Sequence, residues 1–144
     1  MALEVAQAGD LADIRALLRS SRLPAEDLDA GGVHAHWVWR EAGRVVGTAG
    51  LDVVGTVAVM RSLVTDPEFR GQGIATALCD AAEDEARRRG VTAVYLLTES
   101  AAALFERRGY RTVDRATVPD GIARHRQFAS GCCQCARAMV KAFA

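Results

Sequence analysis

Lysine is nearly missing from this chain, and so are proline and any long apolar run. All but one of its 18 basic residues are arginine, Lys141 being the exception, and 18 acidic residues bring the formal net charge to zero. That balance excludes the broad basic surface a nucleic-acid partner requires. No apolar stretch approaches the ~20 residues of a membrane helix, which argues against a membrane partner. Met1 to Glu4 carries neither a basic region nor an apolar run, so no signal peptide is expected and the chain reads as cytoplasmic. Cysteines are few and unevenly placed. Cys79 lies inside a predicted helix, whereas Cys132, Cys133 and Cys135 crowd near the end. This is no disulfide framework, and the thiols are expected to stay reduced.

What is present is ordinary globular composition, with 50% hydrophobic and 25% charged residues over 144 positions. That length suits one domain, residues 1–144. Asp10 is a plausible N-cap for a helix whose Leu11, Ile14, Leu17 and Leu18 share a face. His36 to Arg40 and Arg44 to Leu51 alternate around the turn Glu41-Ala42-Gly43, as a hairpin does. Asp52 to Gly55 reads as a second turn, followed by a strand from Thr56 to about Val64. After a glycine-bearing loop comes a helix from Gly73 to Arg89 with Ile74, Ala77, Leu78, Ala81 and Ala82 on one side, ended by Gly90. Ala93 to Leu97 is a short apolar strand. Strand, helix and strand at this spacing form a crossover, so the strands at Val64 and Val94 should run parallel. A helix from Ser100 to Arg108, a strand from Tyr110 to Asp114 and a last helix from Gln134 to Phe143 complete an α/β domain around a mixed sheet.

Arg70-Gly71-Gln72-Gly73-Ile74-Ala75 joins a strand end to a helix start. There the free N–H groups and aligned peptide dipoles favour an anion, and glycines let the backbone approach it. Taken alone, the motif equally fits a tight loop whose glycines serve turn geometry. It lacks the Gly-Lys-Ser/Thr end of a Walker loop and the three glycines of a dinucleotide fingerprint.

Leu63 to Leu78, with Arg70, Gly73 and Ala75 at the fixed positions of Arg/Gln-x-x-Gly-x-Gly/Ala, resembles the GNAT superfamily of N-acetyltransferases. Thr98 to Tyr110 resembles that superfamily's later helix with its Gly-Phe/Tyr end. The resemblance implies a mixed, mostly antiparallel sheet with a parallel, splayed pair of central strands, flanked by helices. It also implies acetyl-CoA as acyl donor, with no metal, and direct attack by an amine. Acetyl-CoA is then expected against Leu63, Val64, Arg70, Gly71, Gln72, Gly73, Ile74, Ala75, Thr98 and Phe105. Gly50-Leu51-Asp52, Arg61-Ser62-Leu63, Tyr95-Leu96-Leu97-Thr98, Asp114-Arg115, Gln127-Phe128, Cys132 and Met139-Val140-Lys141 further resemble the small GNAT proteins associated with arsenic-resistance operons. That narrower likeness implies detoxification, or acetylation of a small amino-acid-like compound.

One position departs from the common GNAT pattern. Many of these enzymes place a tyrosine, as general acid, where this chain has Phe105, and a phenyl ring donates no proton. Water, Ser100 or Tyr95 then protonates the thiolate, or it leaves unprotonated; the alternative is a non-catalytic acyl-CoA sensor. Asp52 is the candidate base, although a plain turn aspartate is the commoner role. Arg61 sits in an apolar strand and needs a partner, either Asp52 in an ion pair or a substrate carboxylate. Ser62 completes the candidate catalytic set, facing away from Arg61 in a regular strand but not if the strand bulges.

The thiol-dense Cys132-Cys133-Gln134-Cys135 suggests soft-metal or arsenic binding, but it lacks a second ligand pair at zinc spacing. His34 and His36 beside Trp37 and Trp39 suit either a pocket lining or a structural role. His125, between Arg124 and Arg126, reads as solvated or as a lure for an anionic acceptor. Thr117 to Gly131 is either a loop over the acceptor site or a contribution to a partner's site in a homodimer.

Overall fold

The computed structural model describes residues 3–21, 35–125, 128 and 136–143. Its centre is a seven-stranded sheet. The strands are β1 (Leu3–Val5), β2 (Ala35–Glu41), β3 (Arg44–Val54), β4 (Val57–Thr65), β5 (Ala93–Thr98), β6 (Arg111–Thr112) and β7 (Arg137–Ala142). The helices are α1 (Leu11–Ser20), α2 (Ile74–Arg88), α3 (Ala102–Arg107) and α4 (Asp120–Ala123). In space the strands run β1-β2-β3-β4-β5-β7-β6. Every neighbouring pair is antiparallel except β4 and β5. This is the expected mixed sheet with a parallel central pair.

That parallel pairing is short. Val57, Ala58 and Val59 pair with Ala93, Val94 and Tyr95, yet β4 continues to Thr65 and β5 to Thr98. The two strands therefore share a root and part beyond it.

Alternation along the strands decides what each face meets. Trp37, Ala49, Leu51, Ala58 and Met60 pack with Ile74, Leu78, Ala82 and Ala86 of α2. The opposite face is covered at one end by α1, whose Ile14, Leu17 and Leu18 pack on Val38, Val45 and Val64. At the other end Val118, Ile122 and Phe128 pack on Val59 and Ala138. Close approach of α2 depends on Gly47, where an added Cβ would lie 2.8 Å from Ile74 Cγ2. Beneath α2, buried Glu83 accepts hydrogen bonds from Lys141 Nζ at 2.9 Å, Arg108 Nε at 3.1 Å and the Tyr110 hydroxyl at 3.1 Å. Burial pushes this carboxyl up, but the bonds from Lys141 and Arg108 outweigh it and hold it below the ordinary range.

Three expectations need correction, and one strand was not expected. The segment expected as a last helix is instead β7, because Met139 packs on the α2 side while Ala138 packs on the other, and both faces of the strand are covered. β3 runs through Asp52 to Val54, so the turn falls at Gly55 and Thr56. The strand expected over Tyr110 to Asp114 is reduced to Arg111–Thr112. β1, which the sequence pattern did not announce, pairs with β2 at the sheet edge.

Candidate functional site

Two features meet at the diverging strands, one on each face of the sheet. The first is the loop between β4 and α2. Asp66 ends β4 and accepts from the Glu68 N–H at 3.0 Å, closing a single tight turn over Pro67–Phe69. Gly71 and Gly73 then take φ of +80° and +81°, a left-handed conformation that glycine adopts without strain. Gly73 caps α2, and no acidic residue stands in that helix's first turn. A cleft of about 280 Å³ opens here, lined on one side by Arg70, Gly71, Gly73, Ile74, Ala75 and Thr76. Leu104 and Arg107 of α3, with Thr65 and Phe69, complete the lining. A cleft with a helix N-terminus, two arginines and no carboxylate among its lining residues favours a polyanion.

Most of the loop residues expected here do line the cleft; Gln72 is exposed and stands outside its lining. The Ile74 side chain is buried in the core, so it can offer the cleft only its backbone end. Leu104 and Arg107 were missed, although their spacing of three on a short helix places them on one face. Leu63 and Val64 lie on the diverging part of β4, with Leu63 packed beneath α2 and Val64 on the α1 side. Thr98 has a local role, its hydroxyl accepting from the Ala101 N–H at 2.9 Å before α3. Phe105 is 3% exposed within the core, edge-on to Tyr110 at 5.3 Å between ring centres. Leu104 and Arg107, rather than Phe105, face the cleft from α3.

The second feature is a buried polar cluster on the face away from α2. Leu51 and Met60 pair and join the α2 core, so their neighbours Asp52 and Arg61 face the other way. An Arg61 side-chain nitrogen lies 3.3 Å from Asp52 Oδ2, with 1% and 8% of the two side chains exposed. A bulge shapes this corner. Thr48 pairs with Val64 but Gly50 with Arg61, leaving one extra residue in β4, and Ser62 takes φ of +59°. The bulge turns the Ser62 hydroxyl toward Arg61 Nε, from which it accepts at 3.3 Å. Asp52, Arg61 and Ser62 are thus brought together, as a pair of strands and a bulge allow.

Gly50 separates Arg61 from His36 in the same cross-strand row, and a Cβ there would lie 3.2 Å from His36 Nδ1. The Thr48 hydroxyl donates to the Trp37 carbonyl at 2.9 Å, so His36 Nε2 donates to that hydroxyl at 2.8 Å. Burial, helped by the positive charge of Arg61, pushes His36 down to about 4 and keeps the ring neutral.

His125, read from the sequence as solvated or as a lure for an anionic acceptor, instead lies against Asp52. It follows α4, which approaches β3 closely enough that a Cβ on Gly121 would lie 2.7 Å from Val54 Cγ1. His125 Nε2 reaches Asp52 Oδ2 at 2.7 Å with 9% of its side chain exposed, which corrects the solvated reading. Burial pushes the Asp52 carboxyl up. The hydrogen bond from His125 and the charge of Arg61 outweigh that, so it stays ionised below its ordinary range. Asp52 Oδ1 is buried and has no hydrogen-bond partner among the described residues. An acceptor left so costs about 1–3 kcal/mol unless something brings it a donor. Among the described residues no three His, Cys, Asp or Glu side chains converge as a metal site does. His34, Cys132, Cys133 and Cys135 lie outside the described residues.

Residues 11–110 match the Acetyltransferase (GNAT) family. The chain belongs to that family. A relative from Escherichia coli K12, described as the uncharacterized N-acetyltransferase YjgM, is 33% identical over 91 residues, covering 58% of this chain and 54% of that one. The chain thus matches about half the length of this curated relative. Among solved structures, Rv2747 from Mycobacterium tuberculosis, in complex with CoA and NLQ, superposes with a TM-score of 0.80 at 20% identity over 100% of both chains. N-acetylglutamate synthase from Neisseria gonorrhoeae, complexed with coenzyme A and N-acetyl-glutamate, gives 0.82 at 19% identity over 99% of this chain and 35% of that one. At such identities the likeness establishes the GNAT fold. No described helix of this GNAT chain is long and apolar enough to cross a membrane.

Proposed function

We propose that this chain is a single acetyltransferase domain that moves the acetyl group of acetyl-CoA onto the amine of a small amino-acid-like compound. One observation carries the reading: a polyanion-fitting cleft and a buried Asp52–Arg61 pair lie on opposite faces of one pair of diverging strands. The glycines at 71 and 73 have open space where a Cβ would stand. The pyrophosphate of acetyl-CoA would take its hydrogen bonds from the first turn of α2 and its counter-charge from Arg70 and Arg107. Leu63 and Val64 offer backbone groups along the parting edge of β4. The thioester supplies an activated acetyl carbon, and the protein's share of catalysis is to align an amine with it and remove a proton.

On the other face, Arg61 suits a carboxylate, whose two oxygens a guanidinium meets side by side. Asp52 suits an ammonium. Together they match the zwitterionic head of an amino acid. The GNAT structures quoted above, one of them holding CoA with N-acetyl-glutamate, are consistent with such an acceptor. Detoxification of an amino-acid-like toxicant, as the resemblance to arsenic-associated GNAT proteins implies, is the finer form of this proposal.

The test is thiol release from acetyl-CoA with a panel of α-amino acids and their decarboxylated amines. Amino acids should be turned over, and Arg61→Lys should raise their KM about tenfold through loss of the bidentate fork while leaving the decarboxylated amines unaffected. Gly73→Glu should abolish acetyl-CoA binding in calorimetry by bulk and like charge. Tight acetyl-CoA binding with no turnover of any amine would instead favour the acyl-CoA sensor, the reading to which Phe105 lends itself.

A further inference from the structure

We infer that Arg108 is a positioning residue for the acyl donor. By clasping Asp80 and Glu83 of α2 it fixes how α3 is turned, and so aims Arg107 at the phosphates of acetyl-CoA. This rests on the reading above that the cleft takes those phosphates.

The lining of the cleft comes from separate elements. Gly73 to Thr76 form the cap and first turn of α2, whereas Leu104 and Arg107 belong to α3. A helix as short as Ala102–Arg107 is not stable alone and does not set its own orientation. Three tertiary fixings hold it. Ahead of the helix, the Thr98 hydroxyl accepts from the Ala101 N–H at 2.9 Å. Within it, Phe105 is buried in the core. At its end, Arg108 donates from Nη2 to Asp80 Oδ1 at 2.8 Å and from Nε to Glu83 Oε2 at 3.1 Å. The two acids stand three residues apart, on one face of α2.

Successive residues of a helix are turned by about 100° from one another. Leu104 and Arg107, three apart, share one face, and Phe105 and Arg108 share the next. Arg108 keeps a right-handed helical backbone at the cap, so this relation extends to it. With Phe105 held in the core and Arg108 held on α2, the Leu104–Arg107 face is turned to the cleft. The same helix α2 that offers its first-turn amides to an anion thus also orients the arginine that joins them.

The clasp is firm and the residue it aims is free. Only 13% of the Arg108 side chain and 3% of the Glu83 side chain are exposed. Glu83 is itself fixed by Lys141 Nζ and the Tyr110 hydroxyl. Arg107, by contrast, is exposed and has no ion-pair partner among the described residues. An arginine loses rotamer freedom when it grips an anion, and its hold is stronger when the backbone that carries it is already in place. Adjacent arginines therefore have different tasks, Arg108 turned inward to two acids and Arg107 outward to phosphate.

The test measures Kd by calorimetry for acetyl-CoA and for S-acetylpantetheine, which has the same thioester and amides but no phosphate. Arg108→Leu should raise the acetyl-CoA Kd about tenfold, the worth of one charge-assisted hydrogen bond, and leave that of S-acetylpantetheine unchanged. Arg107→Gln should do the same. Because Arg108 acts through Arg107, the double variant should stay near the single ones instead of multiplying their losses. Arg108→Lys, which keeps the charge but lacks the fork, and Asp80→Asn, at an exposed carboxylate, should shift acetyl-CoA binding the same way by less, and they decide the matter if Arg108→Leu does not fold. Equal weakening of both donors, or losses that multiply in the double variant, overturns the positioning role. A wild type that binds acetyl-CoA but acetylates no amine overturns the acetyltransferase reading alone, since the clasp is judged on Kd. A wild type that does not bind acetyl-CoA overturns both.

Discussion

Replacing Gly47 with alanine should loosen α2 from the sheet and weaken acetyl-CoA binding, though Gly47 lines no part of the cleft. The new Cβ would stand 2.8 Å from Ile74 Cγ2, 3.2 Å from Leu78 Cδ1 and 3.4 Å from Trp39 Cβ. Carbon atoms prefer about 3.5–4.0 Å, so the first turn of α2 must retreat by about 0.7 Å or Ile74 must leave its rotamer. Overpacking of this kind costs about 1–3 kcal/mol. Reduced freedom of the unfolded chain returns about 0.4–1 kcal/mol. The net loss is about 1–2 kcal/mol, or about 3–7 °C in Tm for a chain of this size. Ile74 is the first residue of α2 and Gly73 its cap, so the displacement falls on the amides that face the cleft. Calorimetry should show acetyl-CoA affinity falling several-fold. The decisive comparison is Ile74→Leu, which removes the offending Cγ2 branch. In that background Gly47→Ala should cost at least 0.5 kcal/mol less, as coupled neighbours do. An unchanged Tm and Kd, or an equal cost in both backgrounds, would refute the contact as the cause.

Stability should also depend on pH through His36, whose folded ring titrates at about 4 against about 6.5 unfolded. Between those values the unfolded chain binds a proton that the folded one refuses. This contribution is therefore whole above about pH 6.5 and is lost, by at most about 1.4 kcal/mol per pH unit, as pH falls toward 4. His36→Gln should flatten that slope in urea titrations at a series of pH values. Glu83→Leu should cost about 3 kcal/mol in the same assay, because it leaves Arg108 and Lys141 without their shared acid. Tyr110→Phe, which removes only the hydroxyl donating to that carboxylate, should cost about 1 kcal/mol.

The helices α1 and α2 and the strands β2 to β5 were legible because each presents one apolar side. Leu11, Ile14, Leu17 and Leu18 recur at helical spacing, and the glycines of the loop mark where the chain turns. The C-terminal strand defeated that logic. Ala136, Met139, Val140 and Phe143 fall at helical spacing by coincidence, and β7 lies between β5 and β6 with both faces covered, so it shows no alternation. Asp52 was legible as a chemical group but not in its setting, since the turn beyond it lies three residues later than its neighbours suggest. His125 gave no local sign of its buried setting. Two arginines flank it, and what buries it is a carboxylate 73 positions away.

The short pairing of β4 with β5 has a further consequence. Beyond Val59 and Tyr95 the sheet holds two free edges in its own interior, bordered by apolar Leu63 and Leu97. On the rim of a sheet, edges of that kind recruit foreign strands, and proteins usually guard them with charges, prolines or distortion. Here each edge guards the other. They are pinned together at one end, so a strand adding to β4 would collide with β5 before it could form a ladder. Cross-section thus replaces charge as the safeguard. Only a slender chain bearing its own amides can enter, and pairing of these two edges with another sheet is hindered without any gatekeeper residue.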